Sequence, residues 1–355
     1  MQNNASSIDL LHLATALHGG SPDEVVRLPG GRNNVVAQVR AAGKQWLLKV
    51  YFSHPNDRRD RLGAEFGMLQ FLHANGVDCV PRPVVARADL RAALYEFVEG
   101  ARLAPENVTH DDATQLAALL GRMWRAKNRQ GSERLPPASD SHFTLASCLD
   151  SLDRRMDRLR ENAPPDVGAF VKADLAAALK SLKSFVAART RDWSLPLDRE
   201  LPQAERTLTP ADHGFQNAIR RNDGRLVFLD FEYAGWDDPA QMVANAWLQP
   251  GVPMPIEHRE NFVRNVMGQL GADVFMWRRL GVVHPLMAFK WALIMLNEFV
   301  PVADSRRKFA GKPPAARRDE QLTKSRAQLH LVRQAMTEGN WLDALIRSEH
   351  VAAVS

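Results

Sequence analysis

Apolar and polar positions change their rhythm near residue 100. Before it, residues 8–19 carry apolar residues at helical spacing and predict a short amphipathic helix. Residues 35–39 and 46–51 are short apolar runs joined through a turn at 41–44, which predicts two strands. Helical spacing returns over 60–74, with Leu62, Phe66, Leu69 and Leu72 along one side and Gly76 as its stop. Residues 80–86, punctuated by Pro81 and Pro83, and residues 92–100 read as further strands. After that the period is helical almost throughout, over 111–130, 145–160, 167–191, 239–247, 255–270, 273–281, 284–299 and 317–338. One hairpin interrupts it: Ala218-Ile219-Arg220, the turn Asn222-Asp223-Gly224, and the apolar run Leu226-Val227-Phe228-Leu229. Strands first, then helices around a single hairpin, predict a two-lobed α+β architecture, β-rich over 1–98 and mostly helical over 99–355.

That hairpin carries the candidate chemistry. Asp212 stands in the polar run Ala-Asp-His-Gly-Phe-Gln-Asn, with Asn217 five residues on, and Asp230 ends the apolar strand. Phosphoryl transfer asks for such a set. One carboxylate orients the attacking hydroxyl and takes its proton, and a second carboxylate with a neutral oxygen ligand holds Mg²⁺ against nucleotide phosphates. In the kinase catalytic loop the base Asp precedes the metal-binding Asn by about five residues, and the metal-binding Asp follows on the next hairpin. Singly, each of these residues is an ordinary turn or strand-end group. The spacing of all three is what points to chemistry.

The segments Ala211 to Asn217 and Phe228-Leu229-Asp230-Phe231-Glu232-Tyr233-Ala234-Gly235-Trp236-Asp237-Asp238-Pro239 resemble the aminoglycoside phosphotransferase and choline kinase family more than protein kinases. Phe231-Glu232 stands where a protein kinase has Phe-Gly. The resemblance spans roughly residues 25–300 and implies a protein-kinase-like fold using ATP and Mg²⁺. It implies Asp212 as the base, Asn217 and Asp230 as metal ligands, and Asp238 as a support of the catalytic loop. Lys49, in an otherwise apolar strand, falls where the family binds the α/β-phosphates, with Glu65 on the next helix as its ion-pair partner. Gly30-Gly31 is the matching turn over the phosphates, and backbone groups of Glu96 to Val98 would meet the adenine edge. Where the family has His-Gly before the base, a structural support, this chain has Pro210-Ala211.

Composition narrows the picture further. With 355 residues, 45% hydrophobic and 25% charged, the chain has ordinary globular balance and enough length for two cores. No uninterrupted apolar run approaches the ~20 residues of a bilayer span, and the first residues lack a basic stretch before their apolar part. Cys79 and Cys148 have no metal-like spacing and read as buried thiols in a reducing, cytoplasmic compartment. A net charge of +5 and a pI near 9.4 would suit a nucleic-acid partner, yet the basic residues are interleaved with acids and not with aromatics.

Arg306, Arg307, Lys308, Lys312, Arg317 and Arg318 form either a solvated loop or the wall of an anionic-acceptor pocket. Asn297 and Glu298 either face that pocket or cap a helix. Trp236, Trp247 and Trp291 read as core packing, with an aromatic cage for an ammonium group as the rival. The resulting expectation is an ATP-dependent phosphotransferase acting on a hydroxyl of a small molecule, neutral or acidic and sugar-like, rather than an aminoglycoside. Neither nucleic acid nor membrane is an expected partner. The alternative is a nucleotide-binding pseudokinase or scaffold without turnover.

Overall fold

The computed structural model describes residues 8–29, 34–55, 57, 59–300, 309, 318–337 and 339–354. Helix α1 (Leu10–His18) begins at Asp9, whose side chain accepts from the His12 N–H, and stops at Gly19 with a left-handed backbone. Strands β1 (Glu24–Arg27), β2 (Val35–Ala41) and β3 (Lys44–Val50), helix α2 (Arg61–Ala74), and strands β4 (Pro83–Arg87) and β5 (Ala92–Glu96) follow. The five strands form one antiparallel sheet in the order β1-β2-β3-β5-β4. Strand β1 is an addition to the sequence reading, because its mostly exposed residues give no alternation to detect. One sheet face, with Val35, Ala37, Val39, Leu48 and Leu94, packs on Ala14 and Leu17 of α1. Ala93 and Tyr95 of β5 belong instead to the large core that includes Met68, Leu69 and Leu72 of α2.

The crossing into the helical lobe is tied down at once. Strand β6 (Ala101–Arg102) pairs with β8 (Ala218–Arg220) of the expected hairpin, whose other strand is β9 (Leu226–Phe228). Between β6 and β8 come α3 (His110–Ala126), α4 (Leu145–Asn162), α5 (Pro165–Phe170), a π-helical turn (Val171–Leu175), α6 (Ala176–Asp192) and β7 (Thr207–Thr209). Strand β10 (Gly235–Asp237) returns to pair with β7. These two- and three-residue strands are too short to show a period, so the sequence reading lacked β6, β7 and β10.

Helices α7 (Pro239–Leu248), α8 (Ile256–Leu270) and α9 (Val274–Met295) build the centre of the helical lobe. The sequence reading divided α9 into two helices ahead of Pro285, and the structure makes it one. A helix-interior proline costs ~3 kcal/mol, and here nearly every residue from Trp277 onward is buried, so packing outweighs the break. Gly281 is needed for that packing: a Cβ there would stand 2.9 Å from the Trp193 ring and 2.8 Å from Ile346. The stretch Val274–Phe299 is long and apolar enough to cross a bilayer, but 89% of its most apolar window is buried inside the protein, as in a core helix. Two further helices close the chain, Arg318–Ala335 against α9 and the unanticipated Trp341–Val354.

Candidate functional site

The hairpin sets the site's geometry. Leu226, Val227 and Phe228 are buried, and the Leu229 N–H extends the ladder by donating to the Asn217 carbonyl at 2.7 Å. Asp230 therefore emerges beside Asn217, in a left-handed backbone conformation with φ +67°. A non-glycine residue held there is strained, and such strain collects at functional sites. Phe231 then turns into the core, fully buried, and its N–H donates to the Glu65 carboxylate at 3.3 Å.

The Asp212 loop is fixed from several sides. The Ala211 N–H donates to Thr209 Oγ1 at 3.1 Å, and Asn217 Nδ2 donates to the Asp212 carbonyl at 2.8 Å. His213, buried and lowered by that burial to about 4, is neutral and bonds the Met242 carbonyl through Nε2 at 2.8 Å. His213, Thr209 and Asn217 thus anchor a loop that lacks the His-Gly of the family it resembles. The Asp212 carboxylate accepts from Gln249 Nε2 at 2.6 Å. Ala211 carries φ +66°, a conformation that suits glycine. Ala211→Val is expected to lower stability by roughly 1–2 kcal/mol, whereas Ala211→Gly leaves it nearly unchanged, as urea unfolding would measure.

Lys49 and Glu65 meet across the sheet. Lys49 Nζ lies 2.6 Å from Glu65 and 2.6 Å from Asp230, the first bond as the sequence implied and the second an addition. Burial pulls the Lys49 ammonium down, but Asp230, Glu65 and Glu232 together push it well above its usual range, so it stays charged. The Tyr51 hydroxyl donates to Glu65 at 2.8 Å. At the end of β5 the Glu96 N–H is donated to the Arg82 carbonyl at 2.8 Å and its carboxylate pairs with Arg221, while Val98 is buried. A base edge there would meet the remaining backbone groups of 96–98. Gly30 and Gly31 lie outside the described residues, as do Arg306, Arg307, Lys308, Lys312 and Arg317; Arg318 sits with its guanidinium 5.7 Å from the Phe299 ring.

Sequence reasoning missed Glu232. Its carboxylate, 1% exposed, accepts from Arg61 at 2.7 Å and from Asn34 Nδ2 at 2.6 Å. Asn34 Oδ1 in turn accepts from the Phe52 N–H, and Arg61 also pairs with Asp57 at 2.9 Å. Asn34 is thereby bonded to the residue two beyond Asp230. The signal was present, since a carboxylate between Phe231 and Tyr233 in a buried stretch requires a partner.

Behind the loop, Asp238 accepts from the Ala240 N–H at the start of α7 and pairs with Arg279 at 2.8 Å, both buried. Its bonds go to the start of α7 and to Arg279 on α9. Burial, with Asp238 adjacent, pushes the Asp237 carboxyl well above the usual range. Each of the three tryptophans is buried with its indole N–H used: Trp236 on the Ser132 carbonyl, Trp247 on His284, Trp291 on Asn245. They are core residues, not a cage. Asn297 accepts from Arg158 at 3.3 Å.

Burial holds three histidines neutral, His142 and His213 at about 4 and His284 at about 3. Their folded values lie below the unfolded ~6.5, so the unfolded chain binds more protons below that pH. Their contribution is complete above ~6.5 and is lost as pH falls toward 4. The urea midpoint is expected to drop between pH 7 and 5, a window above the ordinary carboxylate range.

Asp230 offers a carboxylate that is about one-third exposed, and the Asn217 amide, anchored through Nδ2, keeps its oxygen for a ligand. Among the described residues no group of three His, Cys, Asp or Glu side chains could hold a metal ion. A Mg²⁺ here would draw only part of its oxygen shell from the protein, which fits an ion completed by phosphates and water.

Residues 24–282 match the family model described as the phosphotransferase enzyme family. The chain is similar in structure to spectinomycin phosphotransferase APH(9)-Ia solved with ADP and spectinomycin, with a TM-score of 0.63 at 12% identity over 92% of this chain and 97% of that one. It is also similar to an ethanolamine kinase from Plasmodium vivax, with a TM-score of 0.60 at 15% identity over 91% and 88%. The choline kinase LicA from Streptococcus pneumoniae gives a TM-score of 0.58 at 15% identity over 90% and 96%. At these identities the likeness is one of fold, a two-lobed protein-kinase-like architecture. No curated protein matches the chain significantly.

Proposed function

Since the chain belongs to the phosphotransferase enzyme family and is thereby a small-molecule kinase, we propose that it moves the γ-phosphoryl group of ATP to a hydroxyl of a small acceptor. The observation that carries this reading is Lys49, which reaches Glu65 and Asp230 at 2.6 Å each and so joins residues from both lobes in one site. In this reading residues 1–98 form the nucleotide-binding lobe and residues 99–355 the catalytic loop and acceptor pocket. Lys49, positioned by Glu65, binds the α/β-phosphates under the Gly30-Gly31 turn, and the 96–98 segment receives the adenine. Asn217 and Asp230 hold Mg²⁺, which when bound neutralises charge on the phosphate oxygens. Asp212, its carboxylate fixed by Gln249, orients the acceptor hydroxyl and takes its proton. Positioning and charge neutralisation supply most of the rate, because the transition state is loose.

The acceptor in this reading is neutral or acidic and sugar-like, and the protein is cytoplasmic. The six basic residues between 306 and 318 support the first statement, since a polycation needs carboxylate partners. The unpaired Cys79 and Cys148 support the second. Acceptor-dependent ADP release over a panel of sugars, sugar acids, amino alcohols and aminoglycosides tests both chemistry and acceptor. A neutral or acidic sugar-like compound is expected to give the highest kcat/KM. ADP binding without release for any acceptor would mark a nucleotide-binding scaffold, and an aminoglycoside exceeding every neutral and acidic compound would overturn the acceptor class.

A further inference from the structure

Three lysines are buried among the described residues, and two of them donate two hydrogen bonds each. Lys49 has two carboxylates at 2.6 Å, and Lys127 donates to the carbonyls of Ala204 and Arg206 at 2.6 and 2.8 Å. Lys290, on α9 and 7% exposed, has Asp140 at 3.5 Å as its ion pair and donates no hydrogen bond among the described residues. An ammonium group carries three donors, and burying them unmet is costly. The same cluster holds further unmet groups: Arg155 gives one nitrogen to Asp140 at 2.7 Å while its Nε has no partner, and His142 Nε2 and Gln241 Oε1 have none either.

Charge points the same way. Lys290 and Arg155 share one carboxylate, Asp140. Asp238 is engaged by Arg279, and burial pushes the neighbouring Asp237 carboxyl well above the usual range. His142, lowered by burial to about 4, adds no charge at neutral pH. The ion pairs set two cations on one carboxylate, and Asp140, a third exposed, marks the side open to solvent.

The cluster adjoins the Asp212 loop. Gln241 Nε2 donates to the His142 carbonyl at 2.9 Å, and the next residue, Met242, holds His213 at 2.8 Å, so consecutive residues of α7 fasten both segments. Burial, with the Lys290 charge adding to it, holds His213 neutral.

We infer that Lys290 and Arg155, gathered around Asp140, form a subsite for a carboxylate of the acceptor, so that the substrate is a hydroxy acid. This rests on the phosphotransfer reading for placing the acceptor at Asp212. The excess of one charge favours a monoanion over a phosphate dianion, and the unfilled Lys290 and Arg155 donors suit carboxylate oxygens.

Calorimetry in the presence of ADP would compare D-glycerate with glycerol, D-gluconate with D-glucose, and glycerol phosphate, on the full chain. At least one hydroxy acid is expected to bind about tenfold or more tightly than its neutral counterpart, as a charge-assisted bond implies. Lys290→Met should erase that preference and Lys290→Arg restore it, with ADP affinity certifying that each variant is folded. If no hydroxy acid exceeds its counterpart, or if Lys290→Met keeps the preference, the inference is wrong. Lys290-dependent binding of glycerol phosphate alone overturns the carboxylate in favour of a phosphate ester. ADP release measured with the same probes separates the two readings. Lys290-dependent binding with no release removes phosphotransfer and leaves the subsite. Release with neutral acceptors and no Lys290-dependent preference does the reverse.

Discussion

Asp212→Asn is expected to lower turnover by about 10²–10⁴-fold, the usual worth of general acid–base catalysis, while ATP affinity stays near that of the parent protein. The substitution keeps the shape of the side chain, and its amide oxygen can still accept from Gln249, which donates to Asp212 at 2.6 Å. The Asn217 bond goes to the Asp212 backbone carbonyl and is untouched. What disappears is the negative charge to which the proposed mechanism gives the hydroxyl proton. Asp230→Asn should behave differently, weakening Mg²⁺-dependent nucleotide binding itself and taking from Lys49 one of its two carboxylates. Steady-state kinetics on the best acceptor, paired with ATP titrations with and without Mg²⁺, distinguishes the two. Near-parental turnover in Asp212→Asn would exclude it as the base.

Lys49→Met and Glu65→Gln should each reduce kcat/KM for ATP, and the double variant should cost less than the sum of the two. Their 2.6 Å contact is between side chains 7% and 5% exposed, so each depends on the other for compensation. Breaking one side of a buried pair costs about 3–5 kcal/mol, mostly from the charge left behind. In Glu65→Gln, Lys49 retains Asp230 alone and draws it from the place a cation needs. In Lys49→Met, Glu65 keeps the Tyr51 hydroxyl and the Phe231 N–H. Urea unfolding and ATP kinetics on the four-member cycle would measure the coupling. Full additivity in both would show that the two side chains do not act as a unit.

Asp212, Asn217 and Asp230 were legible because turn chemistry and strand period are local, and a spacing of a few residues survives folding. Lys49 and Glu65 followed from the family resemblance, which places such a Lys on that strand and its partner Glu on the next helix. The same local signals gave α2, α3 and the hairpin. They did not reveal that Glu232 bonds Arg61 and Asn34, 171 and 198 residues away, because no local period encodes such a pairing. Pro285 misled for a related reason: a local rule broke α9, and the burial of its whole length kept it intact. The helical pattern around Lys290 says nothing of its partners, and packing sets it beside Asp140, which Arg155 also holds. Local patterns along the chain carried the two-lobed order of elements and named the charged groups around the hairpin. Only the tertiary structure decided which of those charges meet and which donors remain unfilled, because burial makes every distant pairing a condition of stability.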